Sequence, residues 1–145
     1  MSPDTLFQIA NPLALLGWLA LLVAPLSPHW SDRIAAIALP LILSLAYAAL
    51  IMAFWSGAEG GFDSLTNVMV LFETPAIALA GWLHYLAFDL FIGAWQVRTA
   101  RTASIPHLLI LPCLALTFLF GPVGLLCFFA LRTIYSLRTN LELDT

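Results

Sequence analysis

The chain has 145 residues, of which 62% are A, V, I, L, M, F, W, Y or C and 9% are charged, with a mean hydropathy of +0.99. An ordinary soluble domain is roughly half apolar and about a quarter charged, and so short a chain cannot hide this much apolar surface in a soluble core. With no lysine, five scattered arginines and a net charge of −3, nucleic-acid binding and Schiff-base chemistry are both excluded.

The charged residues divide the chain into long neutral runs. Residues 5–31, 34–58 and 102–131 carry no Asp, Glu, Lys or Arg, and 64–97 carries only Glu73 and Asp89. A helix needs about 20 apolar residues to cross a ~30 Å hydrocarbon layer. The pattern therefore predicts an all-α polytopic membrane protein forming a single membrane domain. Its four kinked transmembrane helices, at about 5–26, 33–56, 69–97 and 105–134, form an up-down bundle. Met1 to Asn11 lacks the basic start of a cleaved signal peptide, so the first helix is expected to be retained.

Short breaks punctuate the runs: Ser27–Ser31, Ser56-Gly57 with Gly60-Gly61, and Arg98–Ser104. Arg33, Arg98 and Arg101 in the first and third loops outnumber Arg132 and Arg138 in the C-terminal flank. That count favours a cytoplasmic position for loops one and three. Prolines 12, 25, 40, 75, 112 and 122 lie in or near every helix. Each removes a backbone donor and bends its helix, and Gly121-Pro122-Val123-Gly124 is the expected place for a kink to open a cavity.

An ionisable group in hydrocarbon costs at least ~2.5 kcal/mol and so demands a partner or a purpose. The candidates are Glu73, His84, Asp89, His107 and Arg132, with Asn11, Asn67 and Tyr85 as neutral companions. On one continuous third helix, Glu73 and His84 share a stripe, while Asp89 shares another face with Tyr85, Gly93 and Gln96. Depth counting makes Glu73 and Arg132 partners in a buried ion pair and sets Asp89 level with Arg33. Acid–base chemistry is expected at His84, Asp89, Glu73 and Tyr85, with Trp82, Phe88, Asn11 and Arg132 contacting a substrate. Glu73, His84, Asp89 and His107 also form an inventory that could suit Fe or Zn, although no ligand spacing supports it. Cys113 and Cys127, about 21 Å apart on one straight helix, are expected not to meet. Gly17, Gly81, Gly93 and Gly124 could allow close self-association as a homodimer.

The run Gly-Trp-Leu-His-Tyr-Leu-Ala-Phe-Asp-Leu-Phe at 81–91, Ile-Pro-His at 105–107, and Thr117-x-x-x-Gly121-Pro122-x-Gly124 followed by Arg132 resemble the abscisic-acid-deficient-four family. These are neoxanthin-synthase-like integral membrane proteins of plastids with bacterial relatives. The resemblance spans Asn11 to Arg132. It implies a carotenoid- or retinoid-handling isomerase that opens an epoxide or interconverts cis and trans double bonds. With no transit peptide ahead of the first helix, a bacterial plasma membrane is the expected location. The rival reading is a non-catalytic carotenoid-binding or membrane-assembly protein in which the polar residues only fix the fold.

Overall fold

The computed structural model describes the backbone of residues 2–143 and the side chains of residues 2–138. The described residues form six helices and no strand: α1 (Pro3–Leu22), α2 (Pro28–Gly57), α3 (Leu65–Glu73), α4 (Pro75–Thr102), α5 (His107–Phe120) and α6 (Pro122–Leu143). By length and composition α1, α2 and α4 can each cross a membrane, whereas α5 is apolar but shorter. Large apolar side chains such as Leu16, Leu41, Leu45 and Met52 lie exposed on the helices. In water that surface would be unfavourable; in a bilayer it is the solvent-facing side.

The four uninterrupted spans expected from the neutral runs are corrected at two prolines. The third run breaks at Thr74-Pro75, where Thr74 is extended (ψ 113°), because the residue before a proline avoids helical geometry. The fourth breaks at Gly121, whose backbone (φ 44°, ψ −94°) suits glycine and few other residues. The Gly121 N–H closes α5 on the Thr117 carbonyl at 2.9 Å, and the chain then reverses into α6.

This reversal makes α5 and α6 a helical hairpin. The Tyr135 hydroxyl on α6 donates to the carbonyl of Ser104, in the turn ahead of α5, at 3.0 Å. Cys113 and Cys127 therefore lie with their sulfurs 3.3 Å apart, correcting the expectation that they cannot meet. Nor do Glu73 and Arg132 pair: the break at Thr74 removes Glu73 from α4, and both residues are exposed on separate elements. Among the described residues the ion pair is Arg101–Asp32, at 2.6 Å.

Five contacts set the helix directions. Asn11 meets Trp82, Trp18 meets Gly93, and the Leu22 carbonyl meets His107, so α1 and α4 run parallel. Asp32 meets Arg101 and Tyr47 meets His84, so α2 runs antiparallel to both. Arg33 thus lies at the Arg101 end of the bundle rather than level with Asp89, which sits thirteen residues, roughly 20 Å, from the end of α4. The folded-back α6 brings its arginines to that same end. Arg33, Arg98, Arg101, Arg132 and Arg138 gather there, while Asp4, Glu59, Asp63 and Glu73 belong to the other.

Beneath Pro40, α2 widens into a π-helical turn over Asp32–Ala38, a rare local adjustment that re-satisfies backbone groups freed by a proline. The four glycines considered for self-association are consumed inside the chain. Gly17 packs on Leu90, Gly81 on Phe72, Gly93 on Trp18 and Gly124 on the Thr117 backbone, so they support no interface between copies.

Candidate functional site

Sequence periodicity correctly groups Tyr85, Asp89, Gly93 and Gln96 on one face of α4; Asp89, Gly93 and Gln96 are buried and Tyr85 is half-buried. This face receives α1 and the α5–α6 hairpin. Gly93 leaves room for the Trp18 ring. The buried Gln96 amide donates to the Thr117 hydroxyl at 2.9 Å, and that hydroxyl donates to the Cys113 carbonyl at 2.8 Å. A polar network satisfied in this way anchors the hairpin to α4 without leaving a donor bare in hydrocarbon.

One turn farther along the hairpin, its tip rests on Asp89. A side chain at Gly121 would place its first carbon 2.9 Å from Asp89 Oδ1, so only glycine lets the backbone settle against the carboxyl group. Pro122 cannot donate to the Phe118 carbonyl four residues earlier. Tyr85 supplies the missing donor, its hydroxyl lying 2.9 Å from that oxygen. Tyr85 is therefore the clasp that makes the proline break tolerable.

Asp89 itself is 8% exposed, and its Oδ2 is buried without a hydrogen-bond partner. A buried carboxyl oxygen left unpartnered carries a desolvation penalty and in a native structure calls for an explanation. Asp89 borders a cleft of about 470 Å³ lined by Asn11, Pro12, Trp18, Trp82, Tyr85, Phe118 and neighbouring leucines. Asn11 is fixed at the far end of this cleft. Its amide nitrogen donates to the Phe7 carbonyl at 2.9 Å, and its oxygen accepts from Trp82 Nε1 at 2.8 Å. Trp82 in turn lies against Tyr85, with ring centroids 5.2 Å apart. Leu15 and Leu119, both exposed, form the outer rim, so the cleft opens sideways toward lipid.

Of the expected site residues, Asp89, Tyr85, Trp82 and Asn11 converge here. The others do not. His84 lies on the opposite side of α4, stacked on Phe88 (4.4 Å, 11°) and facing Tyr47 of α2. Phe88 lines a separate groove beside Pro40 and Leu41. Glu73 ends α3, Arg132 is exposed on α6, and His107 Nε2 lies 3.1 Å from the Leu22 carbonyl. Glu73, His84, Asp89 and His107 are thus dispersed, and among the described residues no group of three or more His, Cys, Asp or Glu could hold a metal ion. The expected Fe or Zn set is corrected because the helix break and the five-residue offset between His84 and Asp89 point these ligands in different directions.

Trp18, Phe118 and Gly121 enter the site without having been singled out as site residues. The Gly-Pro step marked a place where a cavity could open, but only the fold shows that its tip meets Asp89. A family model described as ABA DEFICIENT 4-like matches residues 5–128. The chain belongs to the ABA DEFICIENT 4-like family. No curated protein and no solved structure matches it. The span shared with the ABA DEFICIENT 4-like family takes in every cleft residue and the hairpin tip, and ends at Phe128, which packs edge-on against Trp95 at 5.4 Å.

Proposed function

We propose that this protein is a membrane-embedded isomerase of a carotenoid or apocarotenoid, with Asp89 as its proton-transferring group and Tyr85, Trp82 and Asn11 shaping the binding cleft. Family membership suggests the carotenoid-related role. The observation that carries the chemistry is the buried Asp89 carboxyl group, its Oδ2 without a hydrogen-bond partner, in the lining of a cleft that opens toward lipid. A polyene dissolved in the bilayer would enter sideways past Leu15 and Leu119, with no aqueous channel.

A single carboxyl group suffices for an epoxide-to-allene isomerisation. In its acid form Asp89 gives a proton to the epoxide oxygen as the carbon–oxygen bond breaks. The resulting carboxylate then removes a proton from the neighbouring chain carbon, and the released electron pair forms the second double bond of the allene. One proton is given and one is recovered, so the reaction consumes no co-reactant. Tyr85, already donating to Phe118, is a positioning residue that holds the hairpin tip and the cleft wall. The reading of His84, Glu73 and Arg132 as members of the same machinery receives no support from their positions.

The gathering of all five arginines at one end supports an orientation with loops one and three in the cytoplasm. The test of the function is expression in cells that accumulate a 5,6-epoxy carotenoid, with pigments separated by chromatography. Wild-type protein should produce an isomer of unchanged mass, and Asp89→Asn should not, at equal membrane levels. An Asp89→Asn protein that turns over like wild type would sink the proposal.

A further inference from the structure

His84 is an ionisable side chain that the Asp89 cleft leaves unused. Glu73, exposed and charged just ahead of α4, marks the edge of the hydrocarbon. His84 lies nine residues into α4, about 14 Å from Pro75 and so near the middle of a ~30 Å layer. Its ring stacks on Phe88 and faces Tyr47. Among the described residues, neither the imidazole nor the Tyr47 hydroxyl has a hydrogen-bond partner. Polar groups at that depth demand one. Both border a cavity of about 320 Å³, on the opposite side of α4 from Asp89, to which Trp55, Phe62 and Phe72 bring three more rings. Trp55 and Phe62 are stacked, with centroids 5.4 Å apart at 29°. Phe72 lies so close to Gly81 that a side chain there would put its first carbon 2.6 Å from the ring.

The lining restricts the ligand by what it offers and what it lacks. Its side chains are mostly flat rings, and Tyr47, Trp55 and His84 each carry an O–H or N–H able to donate. Among the described residues no carboxylate and no arginine lines it, so a charged ligand would go unanswered in hydrocarbon. A neutral, flat ring with oxygens that accept hydrogen bonds meets both conditions. We propose that this cavity is a second binding site, for the headgroup of an isoprenoid quinone. A carbonyl oxygen of the quinone lies at the His84–Tyr47 end, its ring lies among the aromatic side chains, and its tail stays in the surrounding bilayer. The site is separate from the Asp89 cleft and does not rest on the isomerase reading.

Binding is tested on the full chain in phosphatidylcholine nanodiscs by titration calorimetry, with empty nanodiscs as the blank. The probes are menadione, a naphthoquinone ring with both carbonyls, and 2-methylnaphthalene, the same ring without oxygen. Menadione should saturate at one per chain and bind about tenfold tighter than 2-methylnaphthalene, the worth of one good hydrogen bond. His84→Phe keeps a ring against Phe88 and removes the N–H, so it should weaken menadione about tenfold and leave 2-methylnaphthalene unchanged. His84→Gln restores a donor and should bind menadione within about threefold of wild type. Ile51→Trp, on the border of the cavity, should weaken both probes, while Leu45→Trp, on the lipid-facing side of α2, should affect neither. Equal binding of the two probes overturns the role of the carbonyl. Menadione binding indifferent to both His84→Phe and Ile51→Trp overturns the placement, and displacement of menadione by zeaxanthin assigns the cavity to pigment instead. Absence of saturable menadione binding overturns the site itself. The pigment assay on Asp89→Asn is unaffected by any of these results, so the two readings fail separately.

Discussion

The two sides of α4 carry similar inventories and do different things. On one, Tyr85, Asp89, Gly93 and Gln96 meet α1 and the tip of the α5–α6 hairpin, and each polar atom but one is satisfied by a named partner or lies against the hairpin. On the other, His84 and Phe88 stack on each other beside Tyr47 of α2, and both remain exposed. An imidazole looks more reactive than a carboxyl group in a list of residues. Here the carboxyl group is buried at its cleft, whereas the histidine is exposed on the border of another, of about 320 Å³, shared with Tyr47, Ile51, Leu71 and Gly81. Position relative to packed neighbours, more than residue type, decides which ionisable group can do chemistry.

The comparison can be broken most forcefully at Asp89. Asp89→Asn should lower isomer formation by about 10²–10⁴-fold, the usual worth of a positioned acid or base. His84→Gln should change it by less than about twofold, corresponding to the ±0.5 kcal/mol of an exposed substitution. Parallel pigment assays of the two variants check both, and equal losses would erase the distinction between the faces.

The next largest effect is expected at the hairpin. A side chain at Gly124 would collide with the Thr117 backbone and hydroxyl, which cannot move without opening the α5–α6 seam. Gly124→Leu should destabilise the detergent-solubilised protein by about 3 kcal/mol, the upper part of the range for overpacking, measured by thermal unfolding. Oxidative crosslinking reads the same hairpin directly. Because the Cys113 and Cys127 sulfurs lie 3.3 Å apart, a copper–phenanthroline oxidant should join them within one chain, seen as the loss of two alkylation sites. A straight helix over 105–134 would keep both sites free.

Tyr85→Phe removes the donor that serves the Phe118 carbonyl. It should cost about 1–2 kcal/mol, and less if a lipid-borne water replaces the hydroxyl. The smallest effect lies outside the membrane, in the loop before α3. The Asn67 amide donates to both Asp63 oxygens, at 2.9 and 3.0 Å, and holds the Asp63 carboxyl below its usual range. A group whose folded value is depressed contributes above its unfolded value, and that contribution fades as pH falls through the folded one. Unfolding followed from pH 6 to pH 3 should therefore show a slight acid loss in wild type that Asp63→Asn lacks. Full solvent exposure keeps this difference near the limit of detection.

Much of this protein was legible in its sequence. Three of the long neutral runs hold helices long and apolar enough to cross a membrane, because hydrocarbon tolerates neither charge nor unsatisfied backbone, and helical periodicity alone aligned Tyr85, Asp89, Gly93 and Gln96. Depth counting failed where the chain stopped being straight. The Glu73–Arg132 pair, the Asp89–Arg33 level and the separation of Cys113 from Cys127 all assumed unbroken helices across Pro75 and Pro122. Each proline was visible, but a proline specifies a lost donor, while the direction in which the chain then turns depends on what satisfies the orphaned carbonyl.

The sequence by itself determined that the chain lives in a bilayer, that it is helical, and which face of α4 is polar, since these follow from composition and a fixed helical period. Only the tertiary structure decided that the last neutral run folds back on itself and seats Gly121 against Asp89. It also decided that Asn11 and Trp82 close one end of the resulting cleft. Those contacts join residues 32 and 71 positions apart, and no local preference encodes them. They exist because Tyr85 and the Gln96–Thr117 pair satisfy polar groups that the bilayer would leave bare.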